Sequence, residues 1–341
     1  MSGIFSYLKG GVLVLPLLLV ACGGVEEFPQ TSLAPRSDFA RDIDGLFWLT
    51  VYLGVGVGVA VFAVIGYITV RYRYRPGQKE PEQVHGHTRL ELAWTLIPAL
   101  ILTVVAVPTV QVIFETQAEA PEGALEVQVI GHQWWWQFRY PAGGDTVVTA
   151  NEIHVPVGRP VELVMTSADV IHSFWVPQMG GKRDLIPNRT TSIVFTPEES
   201  GVYLGQCAEF CGDSHALMKM RLIAHQPAEF EEWLANEASP AVEPLDTGSA
   251  VAYGKQLFQS VGCAGCHTIR GTDYTFGVQG PDLTHLARRG TIAAGVLENN
   301  AANLAGWIND PQGLKPGALM QNTGWTERDV KYLVAYLQTL Y

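Results

Sequence analysis

The sequence predicts a three-part membrane protein: a hairpin of two spanning helices, an all-β sandwich or barrel, and a small all-α domain at the C-terminus. Three observations carry this. Two apolar stretches are each long enough for a bilayer, which takes about 20 residues. From about residue 124 the chain alternates in short β-branched and aromatic runs, and from about residue 249 it turns helical to its end. The 341 residues suffice for two or three domains, and the 48% hydrophobic content is high for a soluble chain. A net charge of −11 excludes a nucleic-acid partner, which would call for a basic face. It permits, without demanding, an acidic docking surface for a basic protein.

Taken in order, "MSGIFSYLKGGVLVLPLLLVACGG" shows one lysine, an apolar run and then small residues. This is the pattern of a signal peptide over residues 1–22. "LVAC" also resembles a bacterial lipobox, which makes Cys22 the lipidated mature N-terminus; an ordinary cleaved signal is the alternative. A transmembrane hairpin at 40–116 follows, with helices at about 45–70 and 92–114. The loop between them carries Arg71, Arg73, Arg75, Lys79 and Arg89. Positive loops stay inside, so this loop is cytoplasmic and both ends of the hairpin face outward. Gly54 and Gly58 suit close helix packing, and His85 and His87 read as solvated loop residues.

Residues 124–225 form the β domain, built on "LEVQVIGHQWWWQFRYP", "EIHVPVGRPVELVMTS" and "TTSIVFTPEESGVYLGQC". Residues 226–248 read as a linker, a short acidic helix followed by Pro/Ala/Ser-rich chain. Residues 249–341 form the last domain, whose final helix has Thr326 as its N-cap.

"CAGCH", Cys263, Cys266 and His267, is the attachment signature of a c-type haem. The thiols add to the haem vinyl groups and the imidazole ligates iron; a redox C-x-x-C is the alternative, but its βαβ context is missing. Met320, in "NDPQGLKPGALMQN", is the only methionine after this motif and so the expected sixth ligand. His285 is its rival, but "GPDLTHL" resembles the proximal loop of small cytochromes c. There Pro281 packs on the ring, leaving His285 as a surface or supporting residue. His/Met ligation gives a closed, relatively high-potential electron carrier.

"GQCAEFCGDSHALM" crowds Cys207, Cys211, His215 and Met218 into one loop of a chain with five cysteines. A disulfide, a zinc site or core packing are the bland readings; the soft donors suit copper or zinc, and the thioether leans towards copper. His172, upstream in "SADVIHSFWVP", adds a distant imidazole. A β domain with one distant His and a C-terminal Cys–His–Met loop is the cupredoxin arrangement, here with two cysteines spaced to bridge a metal pair.

"HTRLELAWTLIPALIL", "GHQWWWQFRYP", "SADVIHSFWVP" and "GQCAEFCGDSHALM", with "CAGCH" behind them, resemble subunit II of cytochrome c oxidase of the caa type. That family carries a fused cytochrome c domain, and the resemblance runs from about residue 40 to the end. It implies a cupredoxin-like Greek-key barrel and a class I cytochrome c domain. It implies a dinuclear copper A centre with Cys207 and Cys211 as bridging thiolates and His172 and His215 as terminal imidazoles. Met218 is then a weak axial ligand on one copper, and the Glu209 carbonyl the weak ligand on the other. The Glu209 side chain is implied in a magnesium site shared with the catalytic subunit. Trp134 takes the position of the electron-entry residue, against a plain aromatic-core reading of "WWW". Glu91 takes that of a proton-channel mouth, against a helix-start carboxylate offsetting the macrodipole. Trp135 departs from the family's usual Tyr, and "PNR" at 187–189 replaces its "PGR", so a different turn is expected there.

The function implied is electron relay from an external donor, cytochrome c or a quinol-oxidising complex, through haem and copper A. The acceptor is the haem–copper subunit I, which with other oxidase subunits reduces dioxygen and pumps protons. The implied location is the bacterial cytoplasmic membrane, with both metal domains on the outer face. Rival readings are a copper A subunit of a nitric oxide reductase, a quinol oxidase subunit, whose family has lost copper, and a non-enzymatic membrane-anchored carrier.

Overall fold

The computed structural model describes residues 28–142, 145–242, 249–260, 262–322 and 324–341. The signal segment and Cys22 lie outside the described residues. The chain divides into two compact units, residues 41–118 and the remainder. The first holds most of helix α1, Asp38–Arg71, and all of α2, Thr88–Thr116, both long and apolar enough to cross a membrane. They extend beyond the apolar runs at 45–70 and 92–114, because each end adds polar residues that the helical backbone still accommodates. Pro98 and Pro108 lie inside α2.

The start of α1 belongs to the other unit. Ser37 Oγ donates to the Met179 carbonyl at 2.8 Å and accepts from Ala40 N–H, and Phe39 is buried. The β domain comprises β1 Leu125–His132, β2 Trp135–Ala142, β3 Asp145–Ala150, β4 Glu152–Pro156 and β5 Val161–Ser167. It continues with β6 His172–Trp175, β7 Arg183–Leu185, β8 Thr191–Phe195, β9 Gly201–Cys207 and β10 Lys219–His225. One sheet runs β3-β2-β1-β5-β8, the other β4-β10-β9-β6-β7. Parallel pairing of β1 with β5 and of β4 with β10 makes sequence neighbours cross between sheets.

The period-two alternation explains the core. Leu125, Val127 and Val129 of β1, Val161, Leu163 and Met165 of β5, and Met220, Leu222 and Ala224 of β10 all point inward. Trp136, Phe138 and Tyr140 join them. Of the three consecutive tryptophans, Trp136 is thus the fully buried one, its ring meeting Phe174 edge-on at 5.8 Å.

The segment read as a linker begins with the short acidic helix expected there. Its first half is helix α3, Pro227–Ala238, packed on the sandwich by a fully buried Phe230 and by Trp233, which stacks on His154 at 4.1 Å. Apolar residues three apart give this acidic helix an inward face, so it belongs to the β domain's core. Residues 243–248 lie outside the described residues.

The C-terminal domain contains α4 Ala250–Ser260, α5 Cys263–Cys266, the short ribbon β11 Thr291–Ile292 and β12 Leu297–Glu298, and α6 Ala301–Asn309. It ends with α7 Pro311–Leu314 and α8 Glu327–Leu337. Thr326 caps α8 in a reciprocal box with Asp329. Phe258 of α4 and Leu333, Val334 and Leu337 of α8 form its core with Ile269, Leu304 and Ile308.

Candidate metal and haem sites

Strand pairing assembles the first site. Antiparallel β6 and β9 set Phe174 opposite Cys207, which brings His172, two residues away on the same face, beside the Cys207 thiol. The loop from Ala208 to Met218 closes at its neck, where Cys207 N–H donates to the Met218 carbonyl at 2.9 Å. Inside it, Cys207 Sγ and Cys211 Sγ lie 3.8 Å apart. His172 Nδ1 is 3.9 Å from Cys207 Sγ, and His215 Nδ1 is 3.5 Å from Cys211 Sγ. Met218 Sδ is 3.9 Å from Cys211 Sγ, and the Glu209 carbonyl oxygen is 3.2 Å from Cys207 Sγ. His172 and Met218 are fully buried, and both thiols nearly so.

Two thiols, two imidazoles, a thioether and a carbonyl thus face one small volume, a donor set that fits soft or borderline metals and excludes hard cations. The Cys207 thiol is pushed down to about 3, chiefly by a hydrogen bond with Cys211 and further by His172. Cys211 is pushed up by the same Cys207 contact and by burial. A metal held between the two sulfurs would require both as thiolates and would release the protons they carry. Glu209 is exposed, and its carbonyl oxygen faces the Cys207 thiol.

Several residues of the site escaped the sequence reading. Asp169 Oδ1 sits 2.8 Å from His172 Nε2. Burial opposes charge on that ring, but the Asp169 and Cys207 contacts win and raise its pKa. With Nε2–H given to Asp169, Nδ1 is the nitrogen left free to ligate. Only a carboxylate three residues before a histidine would have signalled this, and loops carry many of those. Gln133 Nε2 and Trp134 Nε1 both donate to the Cys211 carbonyl, at 2.7 and 2.9 Å. Trp134, 8% exposed, therefore touches the cysteine loop directly, whereas Trp135 stacks on His132 at 4.3 Å.

In the helical domain, Cys263 and Cys266 begin and end α5, and His267 follows it. His267 Nδ1 donates to the Pro281 carbonyl at 2.8 Å, which leaves Nε2 for a metal. Desolvation lowers the pKa of this ring, favouring the neutral, ligating form. Gly280 makes the close approach: a Cβ there would lie 2.5 Å from His267 Cε1. Met320 packs against the same core, its carbonyl held by Gln312 Nε2 at 3.0 Å. His285 corrects the surface reading. It is 2% exposed, with Nε2 bonded to the Ser239 carbonyl at 2.9 Å, because the end of α3 folds against this domain.

Two further expectations meet their local structure. Glu91 Oε1 accepts from His87 N–H at 3.1 Å while His87 Nδ1 accepts from Leu90 N–H, a reciprocal cap on α2. Asn188 takes φ 60°, a left-handed conformation that Asn, like Gly, adopts at low cost.

The family described as "Cytochrome C oxidase subunit II, transmembrane domain" matches residues 30–112. "Cytochrome C oxidase subunit II, periplasmic domain" matches 142–224, and "Cytochrome c" matches 251–341. A cytochrome c oxidase subunit 2 of Alkalihalophilus pseudofirmus is 39% identical over 333 residues, covering 96% of this chain and 94% of that one. Relatives of the same description from Bacillus sp. (strain PS3) and Bacillus subtilis are 34% and 33% identical, each covering 96% of this chain and 95% of its own.

Asp169→Asn is expected to weaken metal binding at the cysteine loop by about 10- to 100-fold, since an amide no longer fixes the His172 tautomer. Competition titration of the purified chain against a copper chelator measures it; unchanged affinity would remove Asp169 from the site.

Proposed function

The chain belongs to the cytochrome c oxidase subunit II family and carries a C-terminal cytochrome c domain, and we propose that it relays electrons from an external donor to the oxidase's haem–copper catalytic subunit. Family membership makes it a membrane-anchored subunit of an oxidoreductase complex, and its domains imply copper and haem binding. The observation that carries the relay reading is the donor set itself: two thiols 3.8 Å apart, each with its own imidazole nitrogen within 3.9 Å.

On this reading Cys207, Cys211, His172 and His215 would hold a copper pair, with Met218 and the Glu209 carbonyl as weaker donors. Cys263 and Cys266 would tether a haem, and His267 and Met320 would be its ligands. When bound, these groups would supply one-electron couples. The chain's own residues keep the geometry fixed between the two states. Asp169 orients His172, Pro281 orients His267, and the Gln133 and Trp134 donors hold the Cys211 carbonyl. Burial of both thiols excludes water and so limits solvent rearrangement on transfer. Trp134 bonds to the cysteine loop at Cys211 and is the electron-entry residue. The exposed Glu209 carboxylate serves the magnesium site shared with the catalytic subunit. The basic loop between α1 and α2 faces the cytoplasm, which puts both metal domains on the outer face, with Cys22 as a lipid anchor.

Purified chain should contain two coppers sharing one unpaired electron when oxidised, and Cys207→Ser should abolish that EPR signal, because a single thiolate cannot bridge a pair. One copper per chain would defeat the dinuclear reading. Met320→Ala should open the ferrous haem to carbon monoxide and lower its potential, followed optically and by redox titration. The same change from His285→Ala instead would reassign the ligand.

Glu91 is the mouth of the proton path. Because Gln also serves in a reciprocal cap, Glu91→Gln keeps the helix start and removes only the ionisable group. Turnover of the assembled oxidase should fall while copper and haem contents stay constant. Unaltered turnover across a pH range would leave Glu91 as a cap alone.

A further inference from the structure

The haem-domain segment between α7 and Met320 lies directly on the Trp134 turn of the β domain. Lys315 is 3% exposed, and its ammonium donates to the carbonyl of Trp134 at 2.5 Å and to that of Ala293 at 3.3 Å. One residue on, the Pro316 carbonyl accepts from Ser214 Oγ at 2.5 Å, and Ser214 is fully buried in the cysteine loop. Next, Gly317 has φ +80°, and a Cβ there would lie 2.8 Å from Trp134 Cη2 and 3.3 Å from Asp213 Cβ. Three consecutive residues thus hold the two sides of one seam: the Trp134 turn and the loop that carries Cys211 and His215.

The segment is stiff on its own side. Ala318 N–H donates to the Lys315 carbonyl at 3.1 Å, and Gln312 receives Gly317 N–H at 3.2 Å. The Gln312 amide in turn donates to the carbonyls of Ala318 and Met320. Any displacement of Lys315 therefore travels to Met320. A second attachment lies apart from the first. The nearly buried Glu152 carboxylate accepts from Gly290 N–H at 3.1 Å and Thr291 Oγ1 at 2.7 Å, and Ala294 O accepts from Lys219 N–H at 3.1 Å.

A buried ammonium is a costly way to fill a seam, and an apolar side chain of that length would cost less in desolvation. It would also leave the Trp134 and Ala293 carbonyls without this donor. Burial pulls the Lys315 pKa down to about 7, against a smaller raising effect from Cys211. The lysine is best accounted for by what it joins.

We propose that Lys315 is a positioning residue for haem-to-copper transfer, its ammonium pinning the Met320-bearing loop to the Trp134 turn so that the two domains keep one pose. This rests on the relay reading above. The linker then connects domains already docked. Gly317 lets the loop reach the indole edge, and the indole N–H bonds to the Cys211 carbonyl at 2.9 Å. Haem-side loop, indole and cysteine loop form one contiguous path.

The test uses the full-length chain with Lys315→Met. In the chain carrying its haem and copper, hydrogen–deuterium exchange at residues 212–217 and 315–318 should accelerate, while α8 and β10 stay protected. In the loaded chain, flash reduction of the haem followed at the copper band gives the first-order transfer rate. That rate should fall at least about tenfold and become viscosity-dependent, since misplacement by an ångström suffices for such losses. Gly317→Ala, which keeps Lys315 but sets a methyl against the indole, should slow transfer in the same direction. Wild-type exchange and rate in Lys315→Met overturn the proposal. So does loss of either metal spectrum in that variant, which would assign Lys315 to folding. A wild-type chain in which exchange responds but no electron passes from haem to copper would instead defeat the relay reading, and the pin would stand as a docking contact only.

Discussion

The carbonyl oxygen of Cys211 is where the site's geometry is anchored. Two donors from the β1–β2 turn, the Gln133 amide and the Trp134 indole, converge on it at 2.7 and 2.9 Å. A carbonyl has two lone pairs, and both are engaged, so the middle of an eleven-residue loop is tied to a rigid hairpin. With the neck closed by Cys207 N–H on Met218 O, the loop has few ways to relax. Both thiols, the His215 ring and the Met218 thioether take their places from that constraint. Preorganisation of this kind would serve the proposed electron relay, because each change of shape between oxidation states slows the exchange.

The turn that anchors the loop is itself held from the other side. Its Trp134 carbonyl receives the Lys315 ammonium, and the indole edge meets the Gly317 backbone. Trp134 therefore works as a joint between two domains, with one hydrogen bond to each. Polar groups do most of the joining: Lys315, Glu152 and Ser214 are all nearly or fully buried, and each bonds across to the other domain. Buried polar contacts add little net stability over apolar ones, but a wrong pose would strand them unpaired. Such a seam favours a single arrangement over a merely adhesive one. Glu237 extends it. This buried carboxylate at the end of α3 is raised in pKa by desolvation, while His285, Arg289 and Arg270 offset part of that cost.

What the sequence determined by itself is what lies close together along the chain. The apolar runs gave two long helices, the alternating runs gave sheets, and Thr326 with Asp329 gave the start of the last helix, since each depends on neighbours within one turn or one pleat. The cysteine loop and "CAGCH" are legible for the same reason: their donors sit within twelve and five residues. Tertiary structure decided which of three tryptophans faces the cysteines, because one step along a strand reverses the side and a turn intervenes between Trp134 and Trp135. It decided that α3 is core: the spacing of Phe230 and Trp233 marks an apolar face, but only the fold brings His154 under Trp233. It also decided the partners of Lys315, Glu152 and Asp169. Lys315 meets Trp134 across 181 positions, and Glu152 meets Thr291 across 139. A lone charged residue in a loop carries no local mark of such a contact; only the closed fold, by removing water from around it, makes the pairing necessary.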